Sequence, residues 1–189
     1  MFLNLVSLLA RATALAVILL VSASYSQAEQ PVATPAAYDQ QAAIAAGLRP
    51  LNDGFAVAPQ IQISDLQAIK DAGFTRIINH RPDGEGRNQP LSAQIAAEAE
   101  RLGLTFVDLP FASGRMTQEA FDGLQAELSR SDEPTLSYCR SGNRAVGIWA
   151  MAEVKAKNMT PDEVIAAASS AGYRLQSQRQ NLQQLAASE

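Results

Sequence analysis

This 189-residue chain has a single cysteine and a single histidine. A single cysteine excludes a disulfide within the chain. With one histidine beside it, most of the Cys/His sets that hold zinc cannot be assembled. No acidic cluster with ligand spacing takes their place, so neither a metal nor another cofactor is expected. Charge is sparse too: 18% of residues are Asp, Glu, Lys or Arg, the net charge is −4, and no run of Lys or Arg follows the N-terminus. Nucleic acid and anionic membrane surfaces both call for such a basic run, and are therefore poor partners.

What is present is apolar. Hydrophobic residues make up 47% of the chain, enough for one sizeable core. Ala12 to Ala23 is almost wholly apolar, Arg11 precedes it, and Ser26-Gln27-Ala28 forms a small-x-small site. The pattern reads as a signal peptide over residues 1–28, cut after Ala28. An exported, periplasmic domain is the expectation; the alternative is an uncleaved N-terminal membrane anchor, which alone would give the chain a membrane partner. Residues 29–47, rich in Ala, Gln and Pro, read as a linker that turns helical near Gln40 to Ala46.

From residue 48 to 187 the pattern is that of one α/β domain. Strands are expected at Phe55 to Ala58, Phe74 to Asn79, Leu104 to Leu109 and Thr135 to Tyr138. Helices are expected after a capping box at Ser64, from Ser92, after Thr117, from Ala145 to Lys157, after a second capping box at Thr160, and from Tyr173 to Ala187. Alternation of strands and helices predicts a three-layer α/β fold with a mainly parallel central sheet.

The last predicted strand delivers Cys139-Arg140-Ser141-Gly142-Asn143-Arg144 to the start of a helix. In open α/β sheets, ligands sit beyond the carboxyl ends of strands. The N–H groups at the start of the helix lack intrahelical acceptors and carry partial positive charge. These groups favour a thiolate at Cys139, as do Arg140 and Arg144. They also suit an anion, for which Gly142 permits a tight turn and Arg144 offers a planar fork of donors. Cys139 and Arg144 are the candidate catalytic pair; Arg140, Ser141, Gly142 and Asn143 are the candidate substrate-binding residues. The competing bland readings are a buried inert thiol, a solvated arginine at a helix start and an ordinary turn glycine.

Residues Ser137 to Ala145 resemble the active-site loop shared by rhodaneses and cysteine-dependent phosphatases. Taken with Ala58-Pro59-Gln60-Ile61, Ala72-Gly73-Phe74, Ile77 to Glu85, Leu109-Pro110 and Trp149, the chain from Leu48 to Ala187 resembles the phosphatase-like domain of β-lactamase-hydrolase-like proteins. That resemblance implies a dual-specificity-phosphatase-like fold, with Cys139 as nucleophile and Arg144 as anion binder. Both hydrolase and sulfurtransferase activities are attached to the family.

Departures from the phosphatase pattern bear on that choice. Four residues separate Cys139 from Arg144, as in rhodaneses, where tyrosine phosphatases place five. Tyr138 stands where phosphatases usually have His, and Ala145 where they have Ser or Thr. The loop Phe111-Ala112-Ser113-Gly114-Arg115 lacks the carboxylate that serves as general acid. Without an acid an alkoxide leaves slowly, whereas sulfur transfer from thiosulfate or a persulfide needs none. The sequence therefore favours a sulfurtransferase that passes sulfur through a Cys139 persulfide to a thiol acceptor or cyanide. A phosphatase acting on phosphoesters and an inactive anion- or phosphopeptide-binding module are the alternatives.

The loop His80-Arg81-Pro82-Asp83-Gly84-Glu85 belongs at the same sheet edge. Arg81 and Glu85 are expected to form an ion pair that fixes it, and Asp83 is a candidate replacement acid. His80 reads as a hydrogen-bonded loop residue, Asp108 as a strand residue rather than an acid, and Trp149 and Met151 as core.

Overall fold

A computed structural model describes residues 38–130 and 132–188. The expected signal peptide and residues 29–37 of the expected linker lie outside the described residues.

Among the described residues five strands form one sheet, in the order β1-β2-β5-β3-β4. They are β1 (Arg49–Pro50), β2 (Phe55–Ala58), β3 (Arg76–Asn79), β4 (Thr105–Asp108) and β5 (Thr135–Tyr138). The pairs β2–β5, β5–β3 and β3–β4 are parallel. Only β1 is antiparallel, with Arg49 opposite Val57. Two residues are too few to show a period in the sequence, so β1 escaped the sequence reading while the mainly parallel sheet did not.

Side-chain alternation along the strands sorts the core into two layers. Ala56, Ala58, Ile77, Leu136 and Tyr138 face α1 (Gln40–Ala45), α2 (Leu66–Asp71) and α3 (Ser92–Leu102). Phe55, Val57, Ile78 and Cys139 face the other helices: α4 (Gln118–Arg130), α5 (Asn143–Lys155), α6 (Pro161–Ser170) and α7 (Arg179–Ala187). The central strands β2, β3 and β5 are buried throughout; β2 is wholly apolar, whereas β3 and β5 also bury the polar residues Arg76, Asn79, Thr135 and Ser137. Trp149 of α5 is fully buried and stacks on Phe55 at 6.2 Å, and Met151 packs against the same core.

Four local expectations are corrected. The end of the expected linker belongs to the fold: Tyr38 is 3% exposed, stacks on Phe74 at 4.3 Å and donates to the carbonyls of Asn52 and Phe55. Asp39 caps α1 by accepting from the N–H groups of Gln41 and Ala42. The helix itself is as expected near Gln40 to Ala46; a single anchoring aromatic before a six-residue helix gives no sign in the sequence that it packs into the domain. Before α2 the reciprocal cap sits earlier than Ser64: the Asp65 carboxylate accepts from Gln62 N–H at 2.8 Å, around a 3-10 turn at Ile63–Asp65. The last helix begins at Arg179 instead of Tyr173, because Tyr173 and Leu175 are drawn inward against the core before a 3-10 turn at Gln176–Gln178. Finally, α5 starts at Asn143, two residues before Ala145, so its first turn includes Arg144. The caps at Thr117 and Thr160 form as expected: Ala120 N–H donates to the Thr117 hydroxyl, and Glu163 N–H to that of Thr160.

Candidate active site

The central strand β5 ends at Tyr138, and Cys139 follows between the ends of β2 and β3. Cys139 N–H donates to Ala58 O at 3.4 Å, and Gln60 N–H to Arg140 O at 3.4 Å, tying the loop to the end of β2. On the other side His80 N–H donates to Tyr138 O at 2.9 Å. Tyr138 itself turns into the α1–α3 layer, away from the face that carries Cys139.

Cys139 is 1% exposed. Burial alone would suit an inert thiol; the groups above it do not. Among the described residues, the N–H groups of residues 140–145 meet no protein acceptor. Val146 N–H is the first to bond back, to Gly142 O at 2.9 Å. Gly142 has φ +86°, a left-handed conformation that side chains with a Cβ resist, which is how the chain swings from loop into α5 within one residue. Six consecutive unsatisfied donors beside a sulfur at the head of a 13-residue helix make an anion cradle.

Arg144 is held on several sides. Its Nη1 donates to Phe111 O at 2.7 Å, Glu85 Oε1 at 3.0 Å and His80 O at 3.2 Å, and its Nη2 donates to Glu85 Oε2 at 2.6 Å. Its side chain is 8% exposed. These contacts leave Nε–H and one Nη2–H for an oxyanion, the two-pronged edge that suits phosphate or sulfonate oxygens. Glu85 is thus more than the partner of Arg81. It accepts from Arg81 Nε at 3.2 Å, as expected, and forks Arg144 as well. Burial alone would raise the pKa of Glu85, but the hydrogen bonds and charges of Arg144 and then Arg81 hold it below the usual carboxylate value.

The other candidates fall into supporting positions. Arg81 Nη1 donates to Gln60 Oε1 at 2.8 Å, so one guanidinium joins the loops that follow β2 and β3. Asn79 shapes that second loop: its Oδ1 accepts from Arg81 N–H, and its Nδ2 donates to Arg81 O and Asp108 Oδ1. Asp83 accepts from Ser92 N–H at 2.8 Å and from the Ser92 hydroxyl at 3.2 Å, which commits it to the start of α3. Asp108 lies in β4, bound by Asn79. Ser141 is exposed and its hydroxyl accepts from Asn143 Nδ2 at 3.1 Å. Arg140 and Asn143 line, with Glu85, Ser113, Ser141 and Arg144, a cavity of about 570 Å³ at the loop mouth. Sequence reasoning missed Gln60 and Asn79, whose residue types are common in loops and whose roles depend on contacts across the sheet edge.

His80 is fully buried, its ring 5.5 Å from Phe111. Its Nδ1 lies 3.0 Å from Leu109 O, which sets the proton on Nδ1. Burial lowers its pKa to about 4; the Leu109 carbonyl opposes that shift and the Arg144 charge adds to it. The imidazole is neutral at physiological pH, and its backbone carbonyl anchors Arg144. Among the described residues no group of three or more His, Cys, Asp or Glu can hold a metal, and no helix is long and apolar enough to cross a membrane.

A mainly parallel sheet with helices on both faces is a fold of the dual-specificity-phosphatase type, and the loop from its central strand into α5 carries Cys139 and Arg144. Residues 47–156 match the family described as "Beta-lactamase hydrolase-like protein, phosphatase-like domain"; this is more than half of the chain, which belongs to that family. A Beta-lactamase hydrolase-like protein of Xylella fastidiosa is 31% identical over 125 residues, which are 66% of this chain and 29% of the relative. The chain thus spans under a third of the length of that curated relative. A solved structure from Neisseria meningitidis, a candidate phosphatase, is 29% identical with a TM-score of 0.64, covering 72% of this chain and 96% of that one. The human tyrosine phosphatase-like serine/threonine/tyrosine-interacting protein shares the fold alone: TM-score 0.57 at 15% identity, over 74% of this chain and 95% of that one.

Proposed function

We propose that this domain is a cysteine-dependent hydrolase of phosphoesters. The observation that carries the reading is the set of free N–H groups over residues 140–145 around Cys139, closed on one side by the fixed fork of Arg144. The family's phosphatase-like description and the Neisseria structure support phosphoryl chemistry over the sulfur transfer favoured from the sequence. The Cys139 thiolate attacks phosphorus, the bond from phosphorus to the leaving oxygen breaks, and that oxygen takes a proton from water. Water then attacks the thiophosphate, the S–P bond breaks, and phosphate leaves with the thiolate restored. The cradle and Arg144 stabilise the charge on the transferring group throughout. Asp83 and Asp108 are engaged elsewhere, and residues 111–115 supply no carboxylate. Esters with acidic leaving groups, such as aryl phosphates, are therefore the substrates best matched to the site.

Sulfur transfer is the second reading, favoured by one observation: the four-residue spacing between Cys139 and Arg144. In that case the thiolate takes the outer sulfur of thiosulfate, sulfite departs, and cyanide or a thiol removes the sulfur from the persulfide. One experiment separates the readings: aryl phosphate hydrolysis and thiocyanate formation from thiosulfate and cyanide, each compared with Cys139→Ser. Phosphate release that is lost in the variant is the expected result. Thiocyanate formation alone, lost in the variant, would replace the proposal with the sulfurtransferase. Inactivity in both would leave an anion-binding module.

A further inference from the structure

A second cavity, of about 390 Å³, lies beside the loop and takes no part in the chemistry described above. Gly47, Arg49, Pro59, Ser141, Gly172 and Tyr173 contribute to its lining, and no carboxylate does. Ser141 lines this cavity and the one at the loop mouth, so the two meet at the loop. The antiparallel pairing of β1 explains how Arg49 arrives there. Opposite Val57, it stands next to Ala58, whose carbonyl accepts from Cys139 N–H. Arg49 is exposed, and among the described residues it meets no carboxylate and donates no hydrogen bond. An arginine without a partner, in a hollow without acidic residues, is an unfilled anion contact.

Tyr173 also lines this cavity and faces the loop. Its hydroxyl lies so close over Gly142 that a Cβ there would sit 1.9 Å from the oxygen. That hydroxyl also makes no hydrogen bond among the described residues. Burial and then the Cys139 side chain raise its pKa, and Arg49 draws it back, so the phenol stays protonated between the thiol and the guanidinium.

We propose that this cavity is a leaving-group subsite that binds a second anionic group of the substrate, phosphate or carboxylate, through Arg49, with the Tyr173 hydroxyl donating to the bound molecule. The proposal rests on the Cys139 loop holding the first oxyanion. It makes the enzyme selective for small molecules carrying two anionic groups, and Arg49 and Tyr173 its specificity residues.

Calorimetric binding of three inert probes tests it: phenylphosphonate, carboxyphenylphosphonate and phenylene bisphosphonate. At least one of the two doubly anionic probes is expected to bind the wild-type protein about tenfold more tightly than phenylphosphonate, the gain of one charge-assisted contact. The tighter of the two identifies carboxylate or phosphate as the second group. In Arg49→Gln that affinity ratio falls to about one, and Tyr173→Phe, which keeps the ring over Gly142, lowers it partway. A wild-type ratio near one, or a ratio unchanged in Arg49→Gln, overturns the subsite. Because no turnover is needed, this outcome is independent of whether the Cys139-dependent phosphatase assay succeeds.

Discussion

His80 is the chain's only histidine, and its burial makes a clean prediction about acid stability. The imidazole is neutral when folded, with its pKa lowered from 6.5 to about 4 by burial first, and by the Arg144 charge against the opposing Leu109 carbonyl. A group whose folded pKa is lowered binds its proton more readily when unfolded. The unfolded chain therefore takes up protons first as the pH falls, and stability that is complete above pH 6.5 is lost on the way down to about 4. Between pH 7 and pH 5 the loss is about 2 kcal/mol, and below pH 4 it approaches about 3 kcal/mol. Carboxylates titrate mostly below this upper window, so the slope from pH 7 to pH 5 belongs largely to His80. Urea unfolding at pH 7, 6 and 5 measures it, with the slope against denaturant as a check on two-state behaviour. His80→Asn is the matched control: its amide can donate to Leu109 O and has no charge to gain. Its stability is expected to stay nearly flat over the same range. A flat wild-type profile, or an unchanged slope in His80→Asn, would refute the assignment of a neutral buried imidazole.

Three further substitutions test the loop and its supports. Glu85→Gln removes the carboxylate that forks Arg144 while the carbonyls of His80 and Phe111 remain; kcat for an aryl phosphate is expected to fall about tenfold. KM is expected to move less, since losing a neutralising charge helps anion binding while losing the fork hinders it; an unchanged kcat would deny Glu85 a positioning role. Gly142→Ala meets both a φ of +86° and the Tyr173 hydroxyl, and is expected to cost about 2 kcal/mol or more in thermal unfolding. Gly147→Ala, where the added Cβ meets nothing within 4 Å, is expected to stabilise α5 by up to about 1 kcal/mol; equal effects of the two substitutions would contradict the loop geometry.

The elements most legible in the sequence were those with long-range periodicity or strong punctuation. The apolar β2, and the apolar centres of β3 and β5 set between predicted helices, pointed to a sheet buried between two helical layers. Ser92 to Leu102 carried its stripe of Ile95, Ala99 and Leu102, and Thr160 with Glu163 announced α6. The two-residue β1 left no such trace, and α1 reads as a helical turn near Gln40 to Ala46 but as part of the linker instead of the fold. The same limit applied to the site. Cys139, Gly142 and Arg144 are adjacent in the chain, so a local motif exposes them. Gln60, Asn79, Arg49 and Tyr173 reach the loop only because β1, β2, β3 and β5 lie side by side in the sheet or because the chain returns from α6.

The sequence by itself determined the α/β alternation, the placement of Cys139 at a strand end, and the cradle that the following helix start provides. These follow from backbone geometry over a few residues: a buried strand, a glycine turn and a largely buried helix. Tertiary structure decided what the charges do. Glu85 reads in the sequence as the partner of Arg81, yet it also forks Arg144, 59 positions away. Asp83, a candidate acid by loop position, is spent on the start of α3. His80 is neutral because Phe111 and the sheet remove it from water. Electrostatic roles depend on distance and dielectric, which chain order does not encode.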